Sequence, residues 1–404
     1  MTLSAALLEL RSPRTIRERA AQLHARGVRG ELAHFDVDEA RLPEVARLTA
    51  GVTRERYPDL RVPPHSRFAH FDAGGVPRMA ALEGELAALP ALERARRLTE
   101  LVVVSVLLDA GAGSRWRFVE HATGSALGRS EGLAIASLAW VQQGGMSQRG
   151  ESYRVDAAGL AAVDEAALAR AFQVRADNPL VGLAGRVHLL RELGRALAAR
   201  PDVFGPDARI GGMVDWLCER AQGGAIAAPA VLGLILDALG GIWPGRLQVD
   251  SVPLGDVWPH AAVGGEGKTA GLLPLHKLSQ WLCYSLIHPL QVAGLEVSEL
   301  SELTGLAEYR NGGLFIDGGV LVPKRAELLT AAHEVGSEVV VEWRGLTVAL
   351  LDRMLPLVQR ELGVALSLPA MLEGGSWAAG RVLAAQKRQD GGPPLSIVSD
   401  GTVF

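Results

Sequence analysis

Only two cysteines, Cys218 and Cys283, occur in 404 residues, and they form no CxxC pair. That excludes a disulfide framework or a redox dithiol and leaves reduced thiols as the expectation. A basic excess is missing too: 41 Lys and Arg stand against 45 Asp and Glu. Phosphate-driven binding of nucleic acid is thereby disfavoured, although one local basic pocket for a single phosphate is not. No long apolar run is present. The most apolar stretch, LTELVVVSVLLDAGAG, is too short to span a bilayer and is interrupted at Asp109. The first residues, MTLSAALLELRSPRTIRERAAQ, lack a signal-peptide pattern, so a cytoplasmic protein without membrane association is expected. HExxH, GxSxG and carboxylate clusters are absent, and neither metal nor cofactor is expected. Strand–helix alternation and internal repeats are also missing, which argues against a doubly wound sheet or a solenoid.

What is present reads as helix. Apolar residues make up 48% and charged residues 21%, the profile of a folded globular chain. The expectation is a single large globular unit, 1–404, with helical subdomains suggested at about 1–240 and 241–404. Ser12, Pro13 and Gly27 punctuate a first amphipathic helix, and Asp36 or Asp38 is expected to open a second. Three prolines between Tyr57 and Phe68 make an extended connector. Helices are expected over Ala91–Ala110, from Ser130 to a stop at Gly144, and over Ala157–Phe172, Leu180–Ala199, Gly211–Gln222, Pro229–Leu239, Leu272–Leu290 and Ser337–Leu362. Asp177 and Asn178 before Pro179 read as a helix cap. Gly240–His260, rich in Pro and Gly, reads as a long ordered loop or a short strand pair, and LSIVSDGTVF as a hairpin turning at Asp400 and Gly401. Mainly α with a small β component is the predicted class.

Several residues invite chemistry. VGGEGKT, Val263–Thr269, has Ala262 where a phosphate-cradling loop needs glycine and lacks a preceding apolar strand, so a mobile polar loop is the better reading. His65 and His70, near Asp72, sit in a segment without fixed ligand geometry. Lys277, Trp281, Tyr284 and His288 recur as one helical stripe beside His276 and Gln280. They form either a core helix with local pairing or a pocket wall with an anion-holding lysine. Glu342, Arg344 and Asp352 interrupt an apolar helix and suggest a buried interhelical ion pair. Asp256, close to Trp258 and His260, is either a turn aspartate or a cleft carboxylate. Glu308, Tyr309 and Arg310 lie in LTGLAEYRNGGLFIDGGVL, as a solvated turn or the floor of a site.

From about His34 to Phe404 the chain resembles the fungal and bacterial uracil-catabolism proteins of the Urc-four/Urg-three type. The matching phrases include VPPHSRFAHF, RSEGLAIAS, VPLGDVWPH, HKLSQWLCYSL, LTGLAEYRNGG and VEWRGLTVALLD. The resemblance implies a pathway that passes through a ribosylurea-type intermediate, from which urea must be cut, and association with other enzymes of uracil catabolism. The span Lys277–Leu321 is also similar to the queuosine 5′-phosphate N-glycosylase family, whose pattern runs Lys-Arg-Ala-Gln, then Leu-Thr-x-Phe-Ala-Asp-Tyr-Arg-x-Pro-Gln, then Leu-Gly-Val-Leu. That likeness implies a helical, DNA-glycosylase-like architecture and gives the role of catalytic carboxylate to Glu308. Glu stands here for the family's Asp, and Asn311–Gly313 for x-Pro-Gln, so a different substrate shape is implied.

Hydrolysis of a ribosyl C–N bond builds positive charge at the sugar carbon, which a carboxylate stabilises or attacks. Glu308 is expected in that role. Asp256 is expected as the second catalytic group, a base or a ligand of sugar hydroxyls. Lys277, His276 and Arg310 would hold a 5′-phosphate, while Trp258, Trp281, Tyr309 and His260 would line the cleft. Gly312 and Gly313 would let the backbone pass close to the ligand. The expected partner is a small ribosyl or ribosyl-phosphate substrate. The competing classes are a hydrolase of an opened-pyrimidine amide or ureido bond and a non-catalytic partner of the ring-opening enzyme. Convergence of Asp256, Glu308 and Lys277 separates the first reading from these.

Overall fold

Helices with buried faces build the computed structural model, which describes residues 4–243 and 247–398. Twelve of the described helices have nine residues or more: α1 (Pro13–Val28), α2 (Leu42–Arg56), α3 (Arg78–Leu86), α4 (Ala91–Leu107), α5 (Arg129–Gln142), α6 (Leu183–Ala199), α7 (Gly212–Arg220), α8 (Ala228–Leu239), α9 (Lys277–Val292), α10 (Tyr309–Asp317), α11 (Glu338–Leu362) and α12 (Trp377–Lys387). The described strands have only two or three residues and pair in six two-stranded ladders. The protein is mainly α with a small β part. No described helix is long and apolar enough to cross a membrane.

Several expectations change in instructive ways. Asp36 opens no helix; Phe35–Val37 is a strand paired with Leu321–Pro323, and the Asp38 side chain caps the short turn Glu39–Arg41 instead. Ala157–Phe172 is two helices, Ala157–Ala161 and Glu165–Ala171, because the Asp164 side chain accepts the Ala167 N–H and starts a new one. Asn178 caps no helix; its side chain bonds the backbone of Arg117 and Gln173. Leu272–Leu290 begins as a strand, Leu272–Pro274, and turns helical only at Lys277. Ser396–Val398 pairs in parallel with Ala332–Glu334, a partner the sequence did not suggest. The turn expected at Asp400 and Gly401 lies outside the described residues.

The described chain divides into two interleaved units rather than at one point near residue 240. Unit one takes residues 4–65, 247–280 and 301–398. Its axis is α11, buried along nearly its whole first half, against which α1 and α2 pack. Gly345 makes that approach possible: a methyl group there would lie 2.5 Å from Leu23 Cδ1 and 2.9 Å from Leu273 Cδ2. This packing of N-terminal on C-terminal helices is why the suggested split fails. Unit two takes residues 66–243 and 281–300. Its core holds the second half of α4, where Leu101 to Val106 are fully buried, with α5 and α7 packed on that helix. The helix α9 has its first turn in unit one and the rest in unit two.

Candidate functional site

In unit one, the hairpin of Val257–Pro259 with Leu272–Pro274 sets Asp256, just before one strand, beside the residues that follow the other. The Asp256 carbonyl accepts the N–H groups of Leu275 (3.0 Å) and His276 (3.3 Å). Its carboxylate is saturated. Oδ1 accepts from Trp258 Nε1 at 2.6 Å and Arg344 Nη1 at 2.7 Å. Oδ2 accepts from Arg344 Nη2 at 2.8 Å and from the Lys277 backbone N–H, the first of α9, at 2.9 Å. His276, with φ of 45°, makes the kink that delivers this N–H. The carboxyl is held well below the usual aspartate range: burial opposes its charge, but Arg344 and the N–H donors more than compensate.

Glu308 is built differently. It is the N-cap of α10, and its two oxygens accept the N–H groups of Arg310 (2.7 Å) and Asn311 (2.5 Å). Helix N-termini favour a negative charge, which explains a carboxylate in an apolar run. Yet the residue is only 8% exposed, and burial raises its pKa above the ordinary glutamate value despite the opposing charges of Lys277 and Arg310. Lys277 is itself 6% exposed. Arg344 ties the two carboxylates together, since its Nε donates to the Ala307 carbonyl at 3.1 Å, one residue before Glu308. Asp256, Lys277 and Glu308 therefore share one neighbourhood. A carboxylate held in this dry, donor-rich place can stabilise positive charge developing beside it.

The other predicted residues separate. Asp256, with four donors on its carboxylate, is placed to position Arg344 and the start of α9 and is poorly suited to be a base. His276 is buried and turned to the Leu10 carbonyl (Nε2–O 2.9 Å), with burial lowering its pKa, so it does not supply a cation for a phosphate. Arg310 donates to the Gly391 carbonyl at 2.8 Å and lies over the Tyr309 ring, and it acts on Glu308 through its charge. Trp258 packs under Gly336 while holding Asp256. His260 accepts the Ala262 N–H on Nδ1 and faces Glu342 at 3.5 Å, both groups buried. Trp281 belongs to unit two, where its ring neighbours are Arg67 and His70.

The glycines of NGG serve packing rather than a ligand. They lie inside α10, where a methyl at Gly312 would come 2.6 Å from Trp343 and one at Gly313 3.0 Å from Pro394. The GKT loop is pinned: Arg19 donates to the Thr269 carbonyl at 2.6 Å and Lys268 pairs with Asp250. Arg344 was visible as a buried charge, but it pairs with Asp256 rather than within helices, while Asp352 pairs with Arg17 at 2.9 Å. Glu342 accepts the His34 and Phe35 N–H groups. One supporting residue, Ser376, went unremarked. Asn311, whose amide oxygen accepts from Ser376 Oγ at 2.8 Å, is held by a π-helical turn, Leu372–Ser376. The glycine pair and Ser in LEGGS were the only available signal. Among the described residues, no group of three or more His, Cys, Asp or Glu is placed to hold a metal ion.

These features define a mainly helical protein with a buried carboxylate at a helix N-terminus, backed by an aspartate–arginine pair. The chain belongs to the family described as protein of unknown function DUF1688, whose model matches residues 9–404. It is 38% identical over 410 residues to "Uracil catabolism protein 4" of Lachancea kluyveri, covering 93% of each chain. It is also 38% identical over 409 residues to "Protein urg3" of Schizosaccharomyces pombe, covering 98% of each.

Proposed function

We propose that this chain acts in uracil catabolism as a cytoplasmic N-ribosyl hydrolase, cutting a ribosylurea-type intermediate into urea and ribose or ribose phosphate. The pathway is supported by the relatives' names and the extent of the similarity. The reaction rests on one observation: Glu308, the carboxylate expected from the glycosylase-like pattern, is buried at a helix N-terminus and faces the charge of Lys277. The same likeness carries the proposal of a DNA-glycosylase-like architecture.

In this mechanism the C1′–N bond breaks with its electron pair passing to the urea nitrogen, and ionised Glu308 stabilises the cationic sugar carbon or bonds to it transiently. Water supplies the hydroxyl at C1′ and, through solvent, the proton taken up by urea. Asp256 is a positioning residue that fixes Arg344 and the Lys277 end of α9. Lys277, whose charge acts on Glu308, is the cation proposed to meet a substrate oxygen or phosphate there, while His276 and Arg310 turn to the Leu10 and Gly391 carbonyls.

The test is incubation of the purified protein with N-ribosylurea, its 5′-phosphate and the parent nucleotides. Equimolar urea and ribose (or ribose 5-phosphate) are expected, and Glu308→Gln should stop their formation while the protein remains folded. Near-normal turnover by that variant overturns the assignment. Ammonia in place of urea would point to an amide or ureido hydrolase, and no turnover at all to a non-catalytic partner.

A further inference from the structure

Unit two carries a polar cluster that the proposed reaction does not use. At its centre is Arg67, a fully buried guanidinium. Its Nε donates to Ser105 Oγ at 2.8 Å, and its Nη1 donates to Asp109 Oδ1 at 2.8 Å and Ser130 Oγ at 2.9 Å and lies 3.0 Å from His70 Nδ1. Ser130 Oγ in turn lies 2.7 and 2.8 Å from the two Asp109 oxygens and 3.0 Å from His70 Nδ1. The Trp281 ring closes one side, its centroid 5.6 Å from the guanidinium carbon and 5.7 Å from the His70 ring.

The cluster is held in place from outside. Arg186 of α6, also fully buried, donates to the carbonyls of Leu108, Ala110 and Val181, which fixes the turn carrying Asp109. Arg129, immediately before Ser130, has a φ of 54°, a conformation that non-glycine residues seldom adopt. Strain of this kind concentrates where side chains are aimed for use.

One group is left over. Arg67 Nη2 is buried and makes no hydrogen bond with the protein. Unpaired N–H groups on a buried cation are costly, so such groups ordinarily meet a ligand or solvent. What would fit beside them is set by charge and by donor–acceptor chemistry. Arg67 and Asp109 neutralise one another, so an anion gains little and is repelled by Asp109. The Asp109 side chain keeps 10% exposure and accepts hydrogen bonds only. A group presenting a carbonyl oxygen next to an N–H satisfies both, and a flat one stacks on an indole.

We propose that Arg67, Asp109 and Ser130, with Trp281, bind an uncharged planar amide, imide or ureido group. Its carbonyl oxygen accepts from Arg67 Nη2 and its N–H donates to Asp109. The assignment rests on this cluster alone and holds whatever Glu308 does.

The experiment is ligand-observed NMR on the full chain with uracil, N-methylurea, 1,3-dimethyluracil and inorganic phosphate as probes. It compares the wild type with Ser130→Ala and Glu308→Gln. Uracil and N-methylurea should bind, and 1,3-dimethyluracil, which lacks N–H, at least about tenfold more weakly, because the ligand's own hydrogen bond to Asp109 is then lost. Ser130→Ala keeps the Arg67–Asp109 pair and should weaken uracil about tenfold with an unchanged fold by circular dichroism, whereas Glu308→Gln should leave it unaltered. Equal binding of 1,3-dimethyluracil, displacement by phosphate, unaltered uracil affinity in Ser130→Ala, or no binding by any probe overturns the proposal. Loss of binding in Glu308→Gln alone would also overturn it, moving the ligand to the Glu308 site without touching the hydrolase reading.

Discussion

Asp256 and Glu308 are both buried carboxylates in one neighbourhood, yet their surroundings push them in opposite directions. Asp256 receives a bidentate arginine, an indole N–H and a helix-initiating N–H, and its pKa falls. Glu308 receives two backbone N–H groups, and burial outweighs them and the nearby charges of Lys277 and Arg310, so its pKa rises. Where a guanidinium and N–H donors outweigh burial a carboxylate is fixed as an anion, and where burial outweighs its donors it is poised to respond to charge arriving beside it. On the proposed reading this comparison puts reactivity at Glu308 and support at Asp256, which the sequence offered as the second catalytic group.

The largest effect should come from Glu308 itself. Glu308→Gln removes the charge while keeping the shape, and the rate of urea release should fall by about a thousandfold or more, the size typical of losing a main electrostatic group. Unfolding curves that overlay the wild type would complete the result. Asp256→Asn should show the reverse balance. It places an amide against the Arg344 guanidinium, and breaking a buried pair costs about 3–5 kcal/mol, read as a drop in the urea midpoint. Because Asp256's folded pKa lies below its ordinary value, its contribution is fully present above the ordinary aspartate range and is lost only as pH falls below it. The stability gap between Asp256→Asn and wild type should accordingly close in acid.

Lys277 offers a way to sharpen the contrast. If ionised Glu308 drives the reaction, kcat should decline on the acid side with a midpoint above the ordinary glutamate value. Lys277 currently pulls that pKa down. Lys277→Met should move the acid limb to higher pH, and a limb that stays in place would remove Glu308 as the titrating group.

The parts of this site that could be read from sequence were those set by local spacing. The helices α9 and α5 follow from periodicity and their punctuating residues, and they appear where expected apart from the ends, α5 starting at Arg129 without a side-chain cap. Glu308 stood out because a charge in an apolar run requires a reason. The Asp256–Arg344 pair could not be read, since its members are 88 residues apart and sit on a loop and a helix whose packing no local pattern encodes. The same applies to the joining of the first 65 residues with the C-terminal helices. Glycine was misread for a physical reason: in NGG its small size admits Trp343 and Pro394 against α10, whereas its conformational freedom is not used there.

The smallest effect tests how Glu308 is held. Ser376 Oγ donates to the Asn311 side chain, and the Asn311 backbone N–H caps Glu308. Ser376→Ala deletes one neutral hydrogen bond and leaves a buried amide oxygen short of a donor, a loss of about 1 kcal/mol in stability. If the π-helical turn only fills space, kcat should be unchanged. If it sets the register of α10, kcat should fall severalfold with KM unaltered, because an error in the carboxylate's placement is felt in the transition state more than in binding. The second outcome is the expected one: Asn311 links the turn to the Glu308 cap, its side chain fixed between Ser376 and the Leu306 carbonyl and its backbone N–H on the carboxylate.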